Sequence, residues 1–431
     1  NQNAFIKTEE EIALNYLIGV DVGTTSTKAV LYDEHAHVID QFTQGYPLYR
    51  DSNGMAEQDP EKMVAAVEQV IHDAGQQIDF ANEKLLAVSF SSANQSLILL
   101  DEHFQPQSRV ITWADTRARN AADQLKRSPL GKQLYAKTGT PIHPMSPLTK
   151  LLWLKDTAPE RLAAASYFGD IKSYLFYRFF NSFKVDISIA SCTGMMNINS
   201  GDWDPTALEL TGVKKDQLPE IVNGTTQASG LTNEAVAQMG IPAETPFVYG
   251  AFDGALSNLG VGAIQQDTVA ITIGTSAGVR VITDHPVIDP QERLFCYAVD
   301  NGLWVVGGPL NNGGDVYQWA VEHLVTPSAV QNEQTDPFTL ANRVIEGEPA
   351  GANGLILLPF LGGERAPLWD ANARGSFFGL NNLHTRADML RAVMEGICMN
   401  IATVYQAVCD LVGQPKSVTA TGGFARAEVW R

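Results

Sequence analysis

Cysteine is scarce in this chain, with four among 431 residues, at Cys192, Cys296, Cys398 and Cys409. They lie far apart, show no metal-ligand spacing and are too few for a disulfide framework. They read as free thiols in a reducing cytoplasm. Positive charge is also short: 30 Lys and Arg stand against 48 Asp and Glu, for a net charge of −18 and a pI near 4.8. Neither nucleic acid nor an anionic membrane would be drawn to such a surface. An anionic substrate must therefore be held by local cations and not by the overall field. No apolar run reaches the length of about 18 residues that a membrane span needs. The polar, acidic head, with Glu9, Glu10 and Glu11, has no signal-peptide core. What remains, 45% hydrophobic and 18% charged, is an ordinary globular composition with room for one to three domains.

Against these absences stands one design that occurs twice. Leu17-Ile18-Gly19-Val20-Asp21-Val22-Gly23-Thr24-Thr25-Ser26 is an apolar strand running into a glycine-hydroxyl turn, and a second apolar run from Ala29 to Tyr32 follows. Val269-Ala270-Ile271-Thr272-Ile273-Gly274-Thr275-Ser276-Ala277 repeats it, followed by Val279 to Thr283. Each reads as a β-hairpin whose glycine turns with positive φ and lets a ligand approach the backbone. Hydroxyls and amides at such tips suit phosphate oxygens. Two tips facing each other would clamp a triphosphate across a cleft.

The rest of the chain is punctuated around these hairpins. A helix is expected over residues 60–74, with Asp59 as N-cap, Pro60 at its first position and an apolar stripe at Met63, Val64, Val67, Val70 and Ile71. Strands are expected over residues 85–90 and 97–100, mainly helices over 115–180, and a strand over 245–252 entering a helix at Asp253. Strands near 295–306, a helix over 312–324 and a polar loop over 325–337 come next. A long helix over 385–412 opens on a capping box of Thr385 and Asp388. A last strand over 416–421 ends at Gly422 and Gly423. Strand-rich openings followed by helices thus occur twice. The division reads as a 1–15 extension, a 16–250 domain and a 251–431 domain.

Several polar residues sit where chemistry could use them. Asp21 ends a buried strand, so its carboxylate must meet a cation or good donors; Mg²⁺ beside ATP phosphates is one reading, and closing its own turn is the other. Lys28 could reach a phosphate as a point charge or be a solvated hairpin lysine. Asp253 follows an apolar strand and opens a helix, which suits a carboxylate that accepts the proton of an attacking hydroxyl, and equally a plain N-cap. Asn94-Gln95-Ser96 and the stretch Trp113 to Arg117 could hydrogen-bond a polyol or serve as loops and caps. Asn311 to Gly314, Gly362 to Arg365, and Gly422-Gly423 could approach a nucleotide or be ordinary turns.

Taken together the motifs resemble those of the FGGY carbohydrate kinases, within the actin/Hsp70-like ATPase superfamily, from about residue 16 to the end. Asp21 to Lys28 matches the first phosphate motif. Met145-Ser146-Pro147-Leu148-Thr149-Lys150, on to Trp153, matches most of the first family signature. Gly375 to Leu380, on to Asp388 and Glu395, matches the second. The resemblance implies an α/β fold of two ribonuclease-H-like domains around a nucleotide cleft, with ATP and Mg²⁺ as cofactors. It implies Asp253 as catalytic base, Asp21 at the metal, and Gly23, Thr24, Thr25 and Lys28 at the first phosphate loop. Gly274 and Thr275 fall on the second loop, Gly314 on the nucleotide side, and Gly422 and Gly423 on the adenine side. Asn94, Gln95, Trp113, Arg117 and Met145 fall with the sugar, and Arg117 or Lys150 would meet a substrate carboxylate unless each is a surface salt bridge.

Within the family, the stretches Asp253–Gly260, Gly308–Gly314 and Gly363–Gly375 are most similar to those of members that phosphorylate gluconate. That similarity implies D-gluconate as the substrate, 6-phosphogluconate as the product and a cytoplasmic homodimer that binds neither nucleic acid nor membrane. A xylulose, ribulose or glycerol kinase, or a non-catalytic sugar and nucleotide sensor on the same fold, is the alternative. Gln95 stands where related kinases often carry His, and Ala427 where Ser or Asn usually follows the adenine-side glycines. Relatives also continue for several tens of residues past Arg431, so either a C-terminal segment lies beyond this sequence or the nucleotide side is incomplete.

Overall fold

The computed structural model describes residues 14–324 and 336–431. The expected head before residue 14 and most of the loop expected at 325–337 lie outside the described residues. The chain groups into two compact units that interleave in sequence. One contains residues up to Thr112, Ala164–Asp186 and Asp216–Asp253; the other contains Trp113–Ala163, Ile187–Lys215 and Gly254–Arg431.

The first unit is built on β1 (Asn15–Val22), β2 (Ser26–Asp33), β3 (Val38–Gly45), β4 (Lys84–Ser92), β5 (Gln227–Ala228) and β6 (Phe247–Phe252). Its sheet runs β5-β6-β4-β1-β2-β3. β1 to β3 form an antiparallel meander, while β4 and β6 lie parallel to β1 and to each other. The alternation in β1 decides its facing: Tyr16, Ile18, Val20 and Val22 are buried, and the residues between them are only partly covered. The buried face meets α1 (Pro60–Gly75), whose Met63, Val64, Val67, Val70 and Ile71 enter one core with Phe90, Phe176 and Phe247. Asp59 caps α1 by accepting from the Glu61 and Lys62 amides. Residues 115–180, expected to be mainly helical, are so apart from a short strand at Tyr167–Gly169.

The second unit holds β7 (Thr268–Ile273), β8 (Ala277–Thr283), β9 (Phe295–Asp300), β10 (Leu303–Leu310) and β11 (Ser417–Gly422), in the order β9-β10-β8-β7-β11. β7 to β10 pair antiparallel, and β11 joins parallel to β7. Three antiparallel strands with a parallel strand beside the first are therefore built twice, once in each unit; in the second the third of them is β10, and β9 lies beyond it at the edge. The longest helix here, Arg386–Val412, opens on the expected capping box of Thr385 and Asp388. By length and mean hydropathy alone it would cross a membrane, yet 61% of its most apolar window is buried inside the protein, as befits a core helix.

One expectation fails in both hairpins. Gly23 and Gly274 are absent from the glycines with positive φ. The turns close instead by hydrogen bonds from the glycine amides, Gly23 N to Ser26 O at 3.0 Å and Gly274 N to Ser276 O at 2.9 Å. In each the amide of the earlier residue donates to a later carbonyl across the tip, and neither closure places its glycine in the left-handed region.

Candidate functional site

The first unit brings its predicted residues to one end of its sheet. Val22, Ser92 and Phe252 stand in register on the parallel strands β1, β4 and β6. Asp21 is one residue before that level on β1, and Asp253 one residue after it on β6. Adjacent strands are spaced by about 4.8 Å, so the β1 and β6 columns are separated by roughly 10 Å. The chain leaves β4 between them as Ala93-Asn94-Gln95-Ser96, with the Ala93 amide held by Val22 O at 2.9 Å. The hydroxyl tip, both acids and the amide-bearing turn thus share one edge.

The tip is pinned through its carbonyls. Gly23 O accepts from Tyr46 Oη at 2.7 Å, Thr24 O from Gln58 Nε2 at 2.6 Å, and Thr25 O from the Tyr46 amide at 3.1 Å. Burial holds the Tyr46 phenol up at about 12, so it remains a donor. Asp21 accepts from Ser91 Oγ at 2.8 Å on the neighbouring strand, while the Gly23 amide is used within its own turn. Lys28 is exposed and stands directly opposite Asp21 in the β1–β2 ladder, within reach of the same face. Gln95 is 4% exposed and takes φ 60, a left-handed conformation uncommon outside glycine. Observed strain of that kind in a buried polar side chain supports a binding role. Asp253 is exposed and is the first residue of a helix, Asp253–Gly260.

The second unit offers a pocket of about 360 Å³. Gly274 and Thr275 of its hairpin, Gly314 and Gly423 line it, with Tyr317, Phe338, Asn342 and Trp430 among the rest of its wall. Gly422 sits in register with Ile273 at the same strand ends. The helix Gly314–Leu324 begins against the hairpin: Gly314 N donates to Gly274 O at 2.7 Å and Asp315 N to Thr275 O at 3.1 Å. A Cβ at Gly314 would come within 2.6 Å of Gly274 O, and one at Gly422, where φ is 114, within 1.9 Å of Ile273 O. These two glycines, not Gly274, are what the close approach demands. The helix expected from residue 312 starts two residues later for the same reason. Tyr317, Phe338, Asn342 and Trp430 belong to no motif, and only the folded unit brings them together. Tyr317 Oη donates to Asn342 Oδ1 at 2.6 Å, and Trp430 packs edge-on to the Tyr317 ring at 5.0 Å.

The same unit holds a second polar cluster. Arg117 forks onto the buried carboxylate of Asp115, with Nη2 to Oδ2 at 2.7 Å, and lies 4.6 Å over the Trp153 ring. Arg365 lies 5.1 Å over the ring of Trp113 and donates to Leu310 O at 3.1 Å. Met145 is buried, and its amide donates to His143 Nδ1 at 3.4 Å. Burial pushes Lys150 down to about 7 despite Asp115. Burial first, and then the nearby Arg365, Lys126, Lys150 and Arg119, push His143 down to about 3. His143 is therefore neutral, packed edge-on to Trp369 at 5.8 Å. No local motif marked it.

A family model described as the FGGY family of carbohydrate kinases, N-terminal domain, matches residues 16–260, and the corresponding C-terminal domain matches residues 269–431. The chain belongs to the FGGY family of carbohydrate kinases. It is thus a phosphotransferase with an alcohol acceptor, on the two-domain actin/Hsp70-like ATPase fold of that family. This FGGY kinase is 43% identical over 421 residues to a gluconokinase of Bacillus subtilis, covering 97% of this chain and 82% of the relative. Among solved structures it is 40% identical to a gluconate kinase from Lactobacillus acidophilus at a TM-score of 0.91, over 97% of this chain and 83% of that one. A ligand-bound xylulose kinase from the same organism matches at 41% identity, with the same TM-score and coverage.

The residues present fit the groups a kinase needs. An aromatic-walled pocket with an amide at Asn342 suits a purine. Magnesium prefers one or two carboxylates together with phosphate oxygens and water, and Asp21 at the foot of the hydroxyl tip supplies that kind of donor.

Proposed function

We propose that this kinase transfers the γ-phosphoryl group of ATP to the primary hydroxyl of D-gluconate, giving 6-phosphogluconate. The observation that carries the chemistry is the shared strand end of the first unit, where Asp253 stands exposed beside Asn94 and Gln95, with Asp21 and the Thr24–Thr25 tip two strands away. The choice of gluconate is supported by the 43% identity to a gluconokinase over nearly the whole chain.

Asp253 accepts the proton of the attacking hydroxyl as its oxygen bonds to the γ-phosphorus and the bond to the β-phosphate oxygen breaks. Asn94 and Gln95 hold sugar hydroxyls and orient the one that reacts. The amides and hydroxyls of the first hairpin tip, with Lys28, receive phosphate oxygens, and those of the second tip, at Gly274 and Thr275, suit the same chemistry in its own unit. Magnesium, held at Asp21, supplies charge neutralisation to those oxygens when bound. Positioning and fixed charge carry most of the acceleration, because this transfer needs little covalent help from the protein. Tyr317, Phe338 and Trp430 seat the base. The substrate carboxylate calls for a cation, and Arg365, stacked on the Trp113 indole, presents one at a sugar-contacting ring. None of the four cysteines forms a disulfide among the described residues, which suits a reducing cytoplasm.

Coupled ADP release measured with gluconate, xylulose and glycerol in parallel tests the assignment. Gluconate is expected to exceed both in kcat/KM by at least tenfold, about 1.4 kcal/mol of transition-state binding. The 41% match to a xylulose kinase supports the second reading, and an equal or better rate with xylulose would establish it in place of the first.

A further inference from the structure

Strand β6 does not run straight to Asp253. Val248 pairs with Ser89 and Ala251 with Ser91, so β6 spends one more residue than β4 over the same stretch. The extra residue makes a bulge at Tyr249 and Gly250. Gly250 takes φ 66, and a Cβ there would sit 1.8 Å from Phe90 O, so only glycine closes this backbone. The bulge decides which residue leaves the sheet at the level of Ser92. Without it the register would move by one, and Phe252 would stand where Asp253 does.

A bulge frees backbone carbonyls from the ladder, and burying them without a donor is costly. Here a single buried ammonium takes both. Lys172 Nζ donates to Tyr249 O at 3.0 Å and to Ala251 O at 3.2 Å, and its third bond goes to Asp186 Oδ2 at 2.7 Å. Lys172 and Asp186 are both 0% exposed. All three ammonium donors are used, two of them on the residues that flank the kink. Lys172 lies in the first turn of the helix Ile171–Phe180, which is fixed by a capping box of Asp170 and Ser173. The amide of the neighbouring Ile171 donates to Ser96 Oγ at 3.2 Å, in the same turn as Asn94 and Gln95. One helix end therefore ties the sugar-side turn to the strand that carries the acid.

We infer that Lys172, held by Asp186, is a positioning residue for Asp253: it locks the β6 bulge and so fixes where that carboxylate meets the acceptor hydroxyl. The inference rests on Asp253 being the base. A buried ion pair is weak evidence for stability, since apolar pairs of similar volume often replace one at no loss. That makes the pair separable from its effect on the strand.

The deciding variant is the double substitution Lys172→Met with Asp186→Leu, which refills the space and removes the donor. It should melt cooperatively near the parent midpoint and bind ATP with a Kd within about twofold, while kcat falls by roughly 10²-fold, the effect of an ångström-scale misplacement. Parental kcat in this folded variant overturns the inference. Should the double variant not fold, Lys172→Arg replaces it: the charge remains, but one nitrogen can no longer serve both carbonyls. The same drop is expected, and parental kcat again overturns the inference. Asp186→Asn keeps the donor on both carbonyls and should retain kcat within about threefold; a loss as deep as the double variant's shows that the ion pair matters and not the carbonyl capture.

Asp253→Asn is assayed beside these. If it keeps parental turnover, the base assignment falls, and this inference with it. If Asp253→Asn is inactive while the double variant is fully active, only the positioning role falls. Within an Asp253→Asn background the double variant should cost no further turnover, because both changes act on one proton transfer; a second full drop would show that Lys172 acts elsewhere.

Discussion

The two hairpins share a sequence pattern and a topology, and differ in one side chain that redirects their chemistry. In the first unit, two residues before the tip glycine, stands Asp21, bonded to Ser91 on the parallel neighbour. In the second the same place is held by Thr272, whose hydroxyl meets that of Thr421 on its own parallel neighbour at 3.1 Å. One pairing presents a carboxylate; the other closes on itself and presents none. Around the first tip the parallel strands bring a second acid and an amide-bearing turn. Around the second they bring Gly422 and Gly423, a helix start and aromatic walls. On the proposed function, a repeated frame carries acid chemistry in one copy and nucleotide grip in the other, and what differs lies in the residues flanking the turn.

The sharpest way to break that division is Asp253→Asn. If the first unit's strand end carries the chemistry, kcat should fall by about 10²- to 10⁴-fold, the range a positioned base supplies. The ATP Kd by calorimetry should stay within about twofold of the parent. Turnover close to parental would remove the acid role from this edge.

Next in size is Asp21→Thr, which gives the first hairpin the residue of the second. A loss of about 10²-fold in kcat is expected, with a raised magnesium requirement in a metal titration. An unchanged metal dependence would leave Asp21 as a strand-end acid satisfied by Ser91 alone.

Gly314→Val probes the other copy. The new side chain would press on Gly274 O, already 2.6 Å from a Cβ at that position. The ATP KM should rise roughly tenfold, about 1.4 kcal/mol, while the sugar KM stays put. A rise confined to the sugar KM would contradict the nucleotide role of this tip.

How much of this could be read beforehand follows from the range of the signals. The hairpins, the Asp59 cap and the Thr385–Asp388 box are local patterns, and the chain fixes them within a few residues. The glycine-hydroxyl turns and the acids Asp21 and Asp253 were legible as strand ends because each closes an apolar run. The interleaving of the units was not, because no linker or shift in composition marks Thr112–Trp113 or Ala163–Ala164. The positive φ assumed for Gly23 and Gly274 failed because short closures do not require it, whereas Gly250, Gly314 and Gly422 are demanded by contacts across distant strands. His143, the aromatic wall and the Lys172–Asp186 pair depend on packing between segments remote in sequence, and no spacing rule reaches them.

A milder change compares the parallel neighbours themselves. Thr272→Val removes one hydroxyl of the Thr272–Thr421 pair, both half-buried. The loss should be about 1 kcal/mol of stability, read as a lower melting midpoint with kcat within about threefold. A large drop in kcat would mean that this hydroxyl acts on the nucleotide and that the two hairpins are less different than their flanks suggest.

The smallest expected effect lies in the first unit away from its strand ends. Glu68 on α1 is held up at about 7, first by burial and then by Glu234 and Glu61, with Arg178 opposing. Tyr174 and Arg178 both bond Glu61 on the same side, so the cation is already shared. Between the ordinary 4.5 and about 7 the folded chain holds a proton on Glu68 that the unfolded chain has released. The unfolded state then binds fewer protons, so stability falls as pH rises through that window. Glu68→Gln keeps the neutral shape at every pH and should remove that part of the fall. Melting midpoints at about pH 5 and pH 7.5 should differ less in the variant than in the parent, by roughly 2 °C for a chain of this size. Equal differences in the two proteins would mean that Glu68 ionises freely.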